Sequence, residues 1–186
     1  LGTYRINPTD GITVTSGREA NPVVTEGNLS IATFNGLNYF NGEVTDSGEV
    51  TFDYDANRGA EDETEFALQE GRIVEAIVGL NADVVGLMEI ENDGFGDDSA
   101  IQALVTAINA ELAEEEQYTF VSTADSSIIG TDAITVGLLY RASVVVPAGD
   151  AQIVDMPIQQ IDEDSVAQMR AALVQTFTHV ESEKTF

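Results

Sequence analysis

Two polar residues close otherwise apolar runs. Asn35 ends Ser30-Ile31-Ala32-Thr33-Phe34-Asn35, and Glu89 follows Val84-Val85-Gly86-Leu87-Met88. A carboxylate on an apolar strand needs a cation or a hydrogen-bond partner. Mg²⁺ suits such a group, because it is typically held by one or two carboxylates together with waters and a substrate phosphate. Glu89 is therefore a candidate metal ligand, and Asn35 a candidate partner for metal and phosphate. The competing reading is that Glu89 emerges into solvent where its strand ends. Glu91, two residues on, reads as a surface charge. A second, weaker pattern is Asp53-Tyr54-Asp55-Ala56-Asn57-Arg58-Gly59. It nearly follows a calcium loop, with Gly59 and Glu65 each one residue late. Asp53, Asp55 and Asn57 are thus candidate ligands of a structural Ca²⁺, against the alternative of an acidic solvated loop.

The elements that must position these groups follow from periodicity and turn chemistry. Residues 30–35 read as a strand and 41–63 as a long acidic surface loop. Residues 64–80 read as a helix with Phe66, Ile73, Ile77 and Leu80 at helical spacing, ended by Asn81. Residues 84–90 read as a buried strand. This β-α-β unit predicts two parallel strands of one sheet, candidate neighbours, with their C-terminal ends on one edge. Ligands gather at such edges. Ser99 to Gln102 forms a capping box that opens a second amphipathic helix over 99–115. Strands are expected at 118–122, 133–141, 143–146 and 173–180, with a tight turn at 140–143. Residues 147–165 read as irregular, and 183–186 as a hairpin turn entering a further strand. Residues 1–27 read as a lead-in segment or linker and 28–186 as part of one domain, which the chain is expected to leave unfinished.

Composition bounds the classes. A chain of 186 residues with 43% apolar residues has enough material for one globular core. It lacks an apolar run long enough for a transmembrane helix. Cysteine is absent, which excludes disulfides and thiolate metal sites, and His179 is the only histidine. A histidine-rich zinc site or a Ser-His-Asp triad is therefore a poor expectation. The charge is extreme, with 33 acidic against 7 basic residues and a net of −26. Such a surface repels polyanions at long range unless salt screens it. Clustered carboxylates also attract Mg²⁺ and Ca²⁺.

Four stretches in order carry a family resemblance. They are Asn28 through Phe40, Arg58-Gly59-Ala60 with Ala82 through Asn92, Gly130 through Arg141, and Arg170 through Phe177. Together they resemble bacterial extracellular nucleases of the endonuclease/exonuclease/phosphatase (DNase I-like) superfamily over roughly residues 28–180. The resemblance implies a four-layer α/β sandwich, of which this chain supplies the N-terminal half. It puts Glu89 on the glutamate that binds the catalytic Mg²⁺ or Mn²⁺, and Asn35 on the asparagine that helps position metal and scissile phosphate. It puts Arg170 where an arginine reaches phosphate, and Asp132 on a loop lining the site, while Tyr140 and Arg141 read as structural. The implied activity is metal-assisted phosphodiester hydrolysis outside the cell or at its surface, with DNA the first substrate class. The family's Asn-His, Gly-Asp-x-Asn and Asp-His motifs have no counterpart here, and His179 does not match them. The isolated chain is therefore expected to be inactive and prone to pair with another chain through bare apolar surface. Two other readings stand beside this one. One is an acidic, calcium-stabilised extracellular binding module. The other is a superfamily hydrolase acting on a phospholipid head group or small phosphate ester.

Overall fold

The structure is a computed structural model. It describes residues 9–13, 15, 17, 27–44, 50–51, 58–123, 128–161 and 165–186. In chain order the first half contains β1 (Ile31–Tyr39), β2 (Glu43–Val44), β3 (Val50–Thr51), α1 (Glu63–Leu80), β4 (Val84–Glu91) and α2 (Ala100–Asn109). There follow β5 (Tyr118–Phe120), β6 (Ile134–Arg141), β7 (Val145–Pro147), β8 (Gln152–Val154), β9 (Ile158–Gln160), β10 (Val166–Gln168), β11 (Ala172–Val174) and β12 (Phe177–His179). The class is mixed α/β. Those of residues 1–27 that are described carry neither helix nor strand.

The central sheet has the order β1-β4-β6-β5. The β-α-β expectation holds: β1 and β4 are adjacent and parallel, running from Ile31 opposite Val84 to Asn35 opposite Met88. Strands β6 and β5 add antiparallel on the other side of β4. Alternation along β4 serves two apolar layers at once. Val85, Leu87 and Ile90 join Ile73, Ile77, Ile101, Leu104 and Ile108 in a cluster under the two helices. Val84 instead joins Val121, Val145 and Phe177 on the opposite side. The sheet centre is thus buried on both faces, whereas Ile31 and Met88 remain exposed.

Local signals set the helix limits. The Asp62 carboxylate accepts the Glu65 backbone N–H at 2.9 Å and caps α1, a contact that contributes about 1 kcal/mol. Asn81 ends the helix in the left-handed region, φ 48°, with its N–H returned to Ile77 and Val78 carbonyls. Ser99 caps α2 through the Gln102 N–H. The second helix ends at Asn109, six residues before the expected limit. The Asn109 side chain both accepts the Tyr118 N–H and donates to the Tyr118 carbonyl, each at 2.8 Å, which ties the chain to β5 instead of prolonging the helix. Residues 114–116 form a 3₁₀ turn.

The C-terminal third departs further from expectation. The 142–144 turn forms, with Val144 N–H donating to Arg141 O at 3.0 Å, but the strand after it, β7, pairs with β12 rather than folding back on β6. The region 147–165 contains β8 and β9, which pair antiparallel with β11 and β10. The long strand expected over 173–180 is interrupted at Gln175 and Thr176, where the chain passes from β11 to β12. The terminal hairpin is present, with Phe177 and Phe186 exchanging two backbone hydrogen bonds. Among the described residues no helix is long and apolar enough to cross a membrane.

Candidate functional site

The C-terminal edge of the parallel pair is built from two opposed irregularities. On β4 the ladder runs Met88 to Val136 and then Ile90 to Thr135, so Glu89 is an extra residue in a bulge. Its φ is +61°, a left-handed conformation that costs a non-glycine residue about 1–2 kcal/mol. The reason lies in the packing. Strict alternation after Val85 and Leu87 would carry Glu89 into the apolar layer beneath the helices. With the bulge, Ile90 takes that place at 1% exposure, and the cost of burying a carboxylate there is avoided.

On β1 the pairing jumps from Asn35 opposite Met88 to Tyr39 opposite Ile90, leaving three residues against Glu89 alone. Leu37 and Asn38 both have positive φ, 54° and 55°. Gly36 precedes them because a Cβ there would lie 3.0 Å from Ile90 Cδ1. Two side chains hold this irregular turn. Asn35 Oδ1 accepts the Leu37 N–H at 2.8 Å, and Gln69 Nε2 on α1 faces the Gly36, Leu37 and Asn38 carbonyls at 3.1, 2.9 and 3.4 Å.

Asn35, Glu89 and Arg170 line one cleft of about 260 Å³, with Met88, Thr135 and Ala171 among its walls. Three of the residues singled out in the sequence therefore come together. Asp132, the fourth, stands beside them as a bridge between two arginines. Its carboxylate meets Arg170 Nε at 3.0 Å and Arg58 Nη2 at 3.3 Å. Partial burial pushes the Asp132 carboxyl up. The hydrogen bond and charge of Arg170, the Ile134 N–H and the charge of Arg58 outweigh it, and the group is held below the usual carboxylate range. Asn92 fixes the loop that carries Asp132. Its Nδ2 donates to the Ile129 and Asp132 carbonyls and its Oδ1 accepts the Ile129 N–H, all at 2.9 Å.

The donor set admits a hard cation with few protein ligands. Glu89 offers a carboxylate and Asn35 an amide oxygen with a second lone pair, beside a cleft with room for water and a phosphate. Among the described residues no group of three or more Asp, Glu, His or Cys side chains converges on a point. Any ion here must take much of its coordination from elsewhere. Asp53, Asp55 and Asn57 lie outside the described residues.

Glu91 is not the free surface charge expected of it. It is half-buried, accepts the Asn41 N–H at 3.3 Å, and has its carboxyl pushed up to about 7 by burial and by the charges of Asp93 and Glu43. Asp93 is also raised, mainly by burial, and caps the Ala100 N–H at 2.9 Å. His179 lies away from the cleft and is buried in the terminal hairpin, where its Nδ1 accepts the Ser182 N–H at 3.1 Å. Arg141 is structural: buried, 2.8 Å from Asn81 Oδ1 and stacked 4.9 Å over the Tyr118 ring. The positioning roles of Gln69 and Asn92 were not legible in the sequence. Gln69 lies in mid-helix, and Asn92 follows a strand end without any local mark of its partners. Comparison of the chain with protein-family models, with curated proteins and with solved structures yields no match.

Proposed function

We propose that the β1–β4 edge is the metal- and phosphate-holding part of a divalent-metal-dependent phosphodiesterase acting outside the cell, within a DNase I-like sandwich. The observation that carries this reading is the bulge at Glu89. A strained backbone turns a carboxylate out of the core and into a cleft shared with an amide and a guanidinium. Strain of this kind persists where the surroundings over-determine it, and it concentrates at functional sites.

In this reading Glu89 and Asn35 hold Mg²⁺ or Mn²⁺, which supplies Lewis-acid neutralisation of phosphoryl and leaving oxygens when bound. Arg170 takes a non-bridging phosphate oxygen, since a guanidinium matches phosphate with paired N–H donors. Asp132 holds Arg170 in position until phosphate competes for it. His179 is committed to Ser182, so proton transfer to and from the attacking water falls to groups other than this histidine.

Calorimetric titration of inorganic phosphate with and without Mn²⁺ tests the reading. Phosphate is expected to bind the wild-type chain more tightly when Mn²⁺ is present, and Glu89→Gln is expected to abolish that increment. Equal phosphate binding without metal, or an unaltered Glu89→Gln, contradicts it.

A further inference from the structure

The described bases are few: Arg58, Arg72, Arg141, Arg170 and Lys184. Arg141 is buried and Lys184 belongs to the terminal hairpin. The other three are exposed and follow one connected surface. Arg170 borders the Asn35–Glu89 cleft and is joined through Asp132 to Arg58. Arg58 and Arg72 then line a second, larger cleft of about 530 Å³ between α1 and the turn that follows Asn35, with Leu37, Asn38 and Leu68 among its walls. In a chain of net charge −26, three of the five described bases fall on this one path, with Asp132 and Glu65 the carboxylates among them.

Resting on the phosphodiesterase reading, we infer that the Arg58–Arg72 cleft is a second phosphate subsite, which takes the neighbouring phosphates of a single nucleic-acid strand whose scissile phosphate sits at Arg170. The substrate class is then a polynucleotide rather than a small phosphate ester. Three features carry the inference. The Arg58 and Arg170 guanidiniums converge on one carboxylate at 3.3 and 3.0 Å, so Asp132 occupies the place of an anion between them and keeps both heads near the path. Arg72 has no ion-pair partner among the described residues and stands on the exposed side of α1. The apolar wall of Leu37 and Leu68, exposed at 72% and 56%, gives a surface on which sugar and base can rest between phosphate contacts. Gly59 lets the chain after Arg58 pass close to the buried Phe40 beneath the cleft, since a Cβ there would meet Phe40 Cβ at 2.7 Å. Salt screens the repulsion from the surrounding acidic surface beyond a Debye length of about 8–10 Å, inside which the local guanidiniums act.

The test uses fluorescence anisotropy of labelled oligothymidylate and oligouridylate of about twelve nucleotides, within the usual range of single-strand sites, in EDTA over a salt series. The expected result is binding by wild type that Arg58→Gln/Arg72→Gln weakens about tenfold or more. The slope of log affinity against log salt should become shallower by about 1.4, as two lost single-strand phosphate contacts require. Arg58→Lys/Arg72→Lys should restore most of the affinity and the slope. Both arginines are exposed, and matching urea midpoints show that the variants are folded. Binding indistinguishable between wild type and the double Gln variant overturns the inference. So does an absence of wild-type binding, or equal competition by phosphatidylglycerol vesicles. Because the assay contains no metal, its failure is separate from failure of the Glu89 reading, which the Mn²⁺-dependent phosphate titration decides.

Discussion

The two ends of the β1–β4 pair use polar residues in opposite ways. At the N-terminal end the Ser30 N–H and Oγ both meet Asp83 Oδ2 at 2.7 Å, and the Asp83 N–H returns to Ser30 Oγ at 3.0 Å. Nearby, Arg141 is enclosed by Asn81 and the Tyr118 ring. At the C-terminal end both strands break register, three non-glycine residues take positive φ, and Glu89 and Asn35 face a cleft with Arg170. One end pairs its polar groups internally, Arg141 Nε excepted, and keeps regular backbone within its strands. The other retains strain and presents its polar groups outward. The contrast separates polar residues that hold the fold from those available to a ligand.

Four substitutions break or sharpen this contrast. Asp83→Ala removes two short bonds to a charged acceptor and should cost about 3 kcal/mol in urea unfolding, while leaving Mn²⁺ affinity unchanged. Arg141→Met removes a hydrogen bond, a cation–π contact and a buried Nε that lacks a partner. Because the unpaired atom goes as well, the loss should be only about 1–2 kcal/mol. Glu89→Gly should act in the opposite direction. Glycine accepts positive φ freely, so stability should rise by about 1 kcal/mol even as metal binding is lost. Equal or lower stability would show that the bulge is not strained by its side chain.

The smallest effect concerns pH. The folded-state carboxyl of Glu91, at about 7, stands above its ordinary value of 4.5. Between these values the folded protein binds more protons than the unfolded chain, so stability falls as pH rises through this window and levels off above it. Glu91→Gln should remove that fall. The difference in melting temperature between variant and wild type is therefore expected to grow from pH 5 to pH 7.5.

The first half of this arrangement was legible in the sequence because local and global signals agree there. Helical spacing around Ile73 and Ile77, the left-handed stop at Asn81 and the apolar run before Glu89 all specify one β-α-β unit. What alternation missed was the bulge. A period of two places Glu89 with Val85 and Leu87, and only the competition with Ile90 for the core position moves it. Glu91 was misjudged because the groups around its carboxylate, the Asn41 N–H and the charges of Asp93 and Glu43, come largely from outside its own strand. The C-terminal third was harder to read. Strands of three residues such as β8 to β10 carry too few alternations to register, and β8 finds its partner β11 only across the intervening β9–β10 hairpin. Arg58 lay in an acidic loop, with nothing local to indicate that Asp132 would join it to Arg170.

The most direct measurement is a Mn²⁺ titration at physiological ionic strength, read by water-proton relaxation, on wild type and Glu89→Gln. The account requires one class of Mn²⁺ site in the wild type that Mg²⁺ displaces, and that the variant loses or weakens more than about 100-fold, beyond what loss of a supporting residue costs. Superimposable titrations would place the bound cations on the acidic surface at large and contradict the assignment of Glu89 to a metal.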